Sequence, residues 1–142
     1  LKEVRFEEGT KKVAEYLFTN CSGLEKVTIP EGIETIGNGA FAGCGNLTDI
    51  IMPGSVTTIG NSAFESTGKV KKIEIGRGTV TIADNAFKNC NELEEVSLPD
   101  TIETIGVNAF QNDQKITGLK LPKNIKTMGY GAFGECTGLT EI

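Results

Sequence analysis

Histidine and tryptophan are absent from this 142-residue chain, and tyrosine occurs only twice. Without histidine, the side chain that most often moves protons near neutral pH is missing. The commonest partner of cysteine in zinc sites is missing too. Cys21, Cys44, Cys90 and Cys136 form no CxxC pair. Carboxylates such as Glu7/Glu8 and Glu94/Glu95 are neighbours in sequence, not a pair split between contrasting environments. No nucleophile stands beside a candidate base, so neither enzymatic activity nor a cofactor is expected. Basic residues are in deficit, 14 Lys and Arg against 19 Asp and Glu, for a net charge of −5. That balance argues against a nucleic-acid partner and against docking on anionic membranes. No apolar run approaches the roughly 18 residues needed to cross a bilayer, so membrane insertion is not expected.

What the chain has in place of these is a period. Phe18, Phe41, Phe64, Phe87, Phe110 and Phe133 recur every 23 residues without an insertion or deletion. A fixed period of this size signals a repeat array whose units bury their apolar sides only against neighbours. Alignment at that period gives six repeats and the start of a seventh over residues 1–142, a single domain. One column holds Leu1, Leu24, Leu47, Val70, Leu93, Ile116 and Leu139; three residues on lie Val4, Val27, Ile50, Ile73, Val96, Leu119 and Ile142.

The segment after each leading Leu is rich in β-branched residues and usually stops at proline (Pro30, Pro53, Pro99, Pro122), as a short parallel strand would. A second apolar pair, such as Ile33/Ile36 or Ile102/Ile105, brackets a threonine column (Thr35, Thr58, Thr81, Thr104, Thr127) and predicts a second short strand. The remainder, as in GNSAFESTG, predicts one helical turn whose Phe plugs the core while Ala allows close approach. Six rungs at a strand spacing of about 4.8 Å would make a rod about 30 Å long.

The pattern L-x-x-[VI]-x-[IL]-P-x-x-[VI]-x-x-I-G-x-x-A-F-x-x-C-x-x-L resembles the BspA-like, or Treponema-type, leucine-rich repeats. It covers the whole chain and stands most fully as IGNGAFAGC from Ile36 to Cys44. The resemblance implies an α/β solenoid, a right-handed leucine-rich-repeat horseshoe with a parallel sheet on one face. It also implies a non-catalytic protein-binding or adhesion module of a secreted or cell-surface bacterial protein. Its partner would be a host, matrix or cell-surface protein, and a monomer is expected. The alternative is a structural spacer that presents another domain and binds nothing itself. Departures from the pattern are Glu7, Ala14 and Leu17 in the first repeat, Gly76 for Pro, Ala83 for Gly, and Thr67 and Asp113 for Cys. Neither end repeat reads as a polar cap, so the array is expected to be an excerpt of something longer.

The period also sorts the apparent motifs. The four cysteines share one column and read as buried free thiols; Cys90 and Cys136, two rungs apart, lie beyond disulfide reach. Gly129 to Gly134 spells G-x-G-x-x-G, but the glycines fall in turn columns and the chain continues for only eight residues. Outside the pattern stand Tyr130, in a turn column, and Asp113, expected to turn towards water or cap a turn because an unpaired buried carboxylate is costly. On the solvent face of the first strand, Lys71 over Glu94 and Lys72 over Glu95 predict ion pairs between rungs. Ile51 is the one bulky apolar residue in those outward columns. With Asp49, Lys72, Glu74 and Glu95 around it, Ile51 is the candidate partner contact.

Overall fold

The computed structural model describes all 142 residues as a parallel β-solenoid. The first strand of successive rungs is β1 (Glu3–Val4), β3 (Lys26–Thr28), β5 (Asp49–Ile51), β7 (Lys72–Glu74) and β9 (Glu95–Ser97). The second is β2 (Lys12–Val13), β4 (Thr35–Ile36), β6 (Thr58–Ile59), β8 (Thr81–Ile82), β10 (Thr104–Ile105) and β11 (Thr127–Met128). Every pairing joins residues 23 apart, such as Val27 with Ile50 and Ile59 with Ile82. Inward and outward residues alternate as pleating requires, with Lys26 and Thr28 exposed around buried Val27.

Along the interior the phenylalanines form a stack. Phe18 to Phe133 lie ring over ring at 5.2–5.4 Å between centroids, with planes inclined by 3–16°. Phe41, Phe64, Phe87 and Phe110 are wholly inaccessible to solvent. One continuous apolar core runs the length of the array.

Two features differ from expectation. The expected helical turn around Ala-Phe is absent, and the wall there is built of turns. Each rung holds two residues in the left-handed region, four positions apart: Tyr16/Asn20, Gly39/Gly43, Ser62/Ser66, Asn85/Asn89, Asn108/Asn112 and Gly131/Glu135, with φ of 54–72°. A right-handed helix cannot pass through such residues. In every rung but the last, their N–H groups turn instead to the next rung, as does that of the phenylalanine midway between them. The Phe18, Phe41, Phe64, Phe87 and Phe110 amides each donate to the alanine carbonyl of the following rung at 2.8 Å.

The second difference concerns which sheet is continuous. The threonine-column strands run unbroken as β2-β4-β6-β8-β10-β11, whereas the first strands divide into β1-β3-β5 and β7-β9. Beyond β9 the face continues only as a bridge between Gly118 and Glu141. The amide of Ile29 donates to Ile51 and that of Ile75 to Ser97, at 2.9 and 3.0 Å, but the equivalent bond from Met52 to Glu74 does not form.

These openings follow the cysteine column. Cys44, Cys90 and Cys136 donate their thiol protons back across a rung to the carbonyls of Phe18, Phe64 and Phe110, at 3.1, 3.5 and 3.1 Å. Thr67 donates within its own rung, to Phe64 at 3.0 Å, and β7, which follows it, is detached from β5. Asp113 precedes the second opening. The leading column is β-branched at the same two rungs, Val70 and Ile116, and Leu at the others.

All four cysteines are free, three of them buried. Burial pushes the thiols of Cys44 and Cys136 up to about 11, and only a thiolate reacts readily. A brief alkylation at pH 8 is therefore expected to modify Cys21 alone, with the other three labelled only on unfolding, as intact-mass spectrometry would show.

Candidate functional site

At the opening between β5 and β7 the outer sheet face sinks into a trough of about 460 Å³, lined by Lys26, Asp49, Ile50, Ile51, Met52, Lys72 and Glu74. Met52 and Glu74 also border a second depression of about 500 Å³ that runs on to Gly76, Arg77, Leu98 and Pro99. The two form one shallow groove that runs from the second rung to the fifth.

Local sequence explains its shape. In β5 the outward positions are Asp49 and Ile51, so an apolar side chain stands 51% exposed on a face otherwise polar. Beyond it, the fourth rung lacks the usual proline. Gly76 and Gly78 bring the chain so close to the third rung that a Cβ at either position would fall on the carbonyl oxygens of Pro53 and Gly54. With no side chains at Gly76 and Gly78, the groove stays open beside Arg77.

Asp49, Ile51, Lys72 and Glu74, all expected contacts, come together along the groove. Glu95 lies outside the lining and reaches the group through Lys72. The Lys72 Nζ donates to Glu74 Oε1 at 3.2 Å and lies 3.8 Å from Glu95 Oε2. The hydrogen bond to Glu74, and then the two negative charges, hold its ammonium above the usual lysine range. The expected Lys71–Glu94 pair does not form; there the backbone carbonyl of Lys71 accepts from the Glu94 amide at 2.8 Å. Lys26 and Arg77 enter no ion pair.

Sequence reasoning missed Met52 and Arg77. Met52 sits in an inward column, and only the lost ladder exposes its edge. Gly76 in place of proline was the signal for the corner. Tyr130, 89% exposed, lies on the turn wall and takes no part in the groove. Asp113 does not turn to water. It is completely buried and caps a turn by accepting the Cys90 amide at 2.8 Å.

The model of the BspA type leucine rich repeat region matches this chain in six copies, over residues 1–91 and 57–142. The chain belongs to that family. Among solved structures, a leucine rich cell surface protein from Faecalibacterium prausnitzii A2-165 is 28% identical with a TM-score of 0.81, over 99% of this BspA-type chain and 38% of its own. A leucine-rich repeat protein from Bacteroides ovatus ATCC 8483 is 27% identical with a TM-score of 0.68, over 99% and 44%. The leucine rich repeat protein of T. pallidum is 27% identical with a TM-score of 0.59, over 90% and 49%. The BspA-type array thus spans less than half the length of each of these relatives. No curated protein matches it. No helix in the array is long and apolar enough to cross a membrane.

Proposed function

We propose that this BspA-type array is a non-catalytic protein-binding module of a bacterial cell-surface protein, serving adhesion through the groove around Ile51. The observation that carries the reading is an exposed isoleucine set where the sheet ladder opens, on a scaffold locked by a six-stranded sheet and a phenylalanine stack. The cell-surface description of the Faecalibacterium relative supports the location. A rigid face spends little ordering entropy on binding. Ile51 and Met52 would take an apolar side chain of the partner, with Asp49, Lys72, Glu74 and Glu95 fixing its orientation.

The test is retention of purified host matrix and serum proteins on the immobilised chain, repeated with Ile51→Asp and Lys72→Glu. Burying an isoleucine contributes about 2 kcal/mol, so Ile51→Asp is expected to weaken a retained partner at least tenfold. Equal binding by the variants would remove the groove from the interface. Retention of nothing by the wild type would favour a spacer that presents another part of a longer protein.

A further inference from the structure

Asp113 occupies the cysteine column between Cys90 and Cys136, wholly buried, with its Oδ2 bonded to nothing. We propose that Asp113 is a proton-operated fastener between the fourth and fifth rungs. Protonated, its carboxyl is inserted into the Phe87–Cys90 turn; ionised, it loosens that junction.

The bonding around the turn carries the argument. In four other rungs the amide at the cysteine column closes a turn on its phenylalanine carbonyl. These bonds are Cys21 to Phe18, Cys44 to Phe41, Thr67 to Phe64 and Cys136 to Phe133, at 3.2–3.3 Å. At Cys90 that bond is replaced, because the amide donates to Asp113 Oδ1 at 2.8 Å. The Phe87 carbonyl is left without a donor. It is also the carbonyl that position 113 should serve, since the column's thiols donate to the carbonyl 26 residues back.

Two orphan acceptors, Asp113 Oδ2 and the Phe87 oxygen, are reconciled by a single proton on Oδ2. A carboxylic acid can then take the N–H with one oxygen and supply the C=O with the other. A cysteine needs no such condition, since its proton stays on at neutral pH.

The surroundings offer no cation. Cys90 faces Asp113 from the preceding rung and Cys136 from the following one. Burial and the nearby Asp113 carboxyl raise both thiols, so both are neutral. Asp113 joins none of the chain's ion pairs. Burial pushes its own carboxyl up to about 9, opposed only by the Cys90 amide. An unfolded aspartate titrates near 3.9. Between those values the folded chain holds a proton that the unfolded chain has released, so stability is full below about pH 4 and falls as pH rises towards about 9.

The test is chemical unfolding of the wild type and Asp113→Asn at pH 5 and pH 8. The amide copies the protonated acid, accepting through Oδ1 and donating through Nδ2, at every pH. For the wild type the unfolding equilibrium constant should rise by up to about tenfold per pH unit beyond any change in Asp113→Asn. Deuterium exchange of both proteins at pH 8 should show faster opening of 87–91 and 113–119 in the wild type. Parallel pH profiles for the two proteins would overturn the proposal. So would an Asp113→Asn protein much less stable than wild type at pH 5. Asp113→Cys, which restores the column, should be the more stable protein at pH 8; if it also runs parallel to wild type, the titration lies elsewhere.

Discussion

Replacing Phe64 by alanine is expected to lower the unfolding free energy by about 4 kcal/mol. Phe64 is fully enclosed and lies between Phe41 at 5.2 Å and Phe87 at 5.4 Å. Its loss removes the transfer energy of a large side chain and leaves a hole that neighbours cannot close. Rungs above and below are held at strand spacing by β6 and its partners β4 and β8, so collapse along the axis is blocked. Stacked aromatic pairs add about 0.5–1.5 kcal/mol each beyond area, and two are lost here. For a chain of this length the melting temperature should fall by roughly 15 °C. Phe133→Ala is the control. That ring is only half-buried and stacks on one neighbour, Phe110, so its effect should be well under half as large. Equal effects at the two positions, measured by thermal unfolding, would mean that the stack does not act as a continuous core.

Gly76→Pro is expected to destabilise by about 3 kcal/mol, although it makes the fourth rung agree with four others. Substitutions towards a repeat consensus commonly add about 0.5–2 kcal/mol, so repeat statistics alone give the opposite sign. The geometry decides the matter. A Cβ at Gly76 would land on the Pro53 carbonyl oxygen, a main-chain atom that cannot rotate aside. Gly76→Ala should suffer the same overlap without the ring, and so lose stability in the same direction by less. A rise in melting temperature for Gly76→Pro would show that the corner between the third and fourth rungs is wider than the structure places it. The same close approach shapes one end of the groove beside Arg77, so the substitution should also alter any binding there.

Much of the solenoid is legible because its period never slips. Once Phe18 to Phe133 are aligned, Val27 over Ile50 and Thr58 over Thr81 follow, and their pairings are those expected. The wall misread as a helical turn shows where composition misleads. Ala-Phe flanked by polar residues is compatible with a helix, and only Gly, Asn or Ser recurring four positions apart, as in Gly39/Gly43 and Asn85/Asn89, points to left-handed backbone. Of the candidate contacts, Ile51, Asp49, Lys72 and Glu74 could be found from their outward columns. Met52 could not, since its exposed edge depends on a ladder bond that fails to form.

The sequence by itself determined the repeat, its register and which columns face the core, because a 23-residue period leaves each rung no other neighbour with which to bury its apolar side. It also singled out Thr67, Gly76 and Asp113 as exceptions. Only the tertiary structure decided what these exceptions do. Thr67 turns its hydroxyl into its own rung and β7 detaches from β5, Gly76 draws the fourth rung against the third, and Asp113 displaces a turn bond. Each outcome depends on distances between rungs, set jointly by two sheets and a stack of rings, and no single column encodes them.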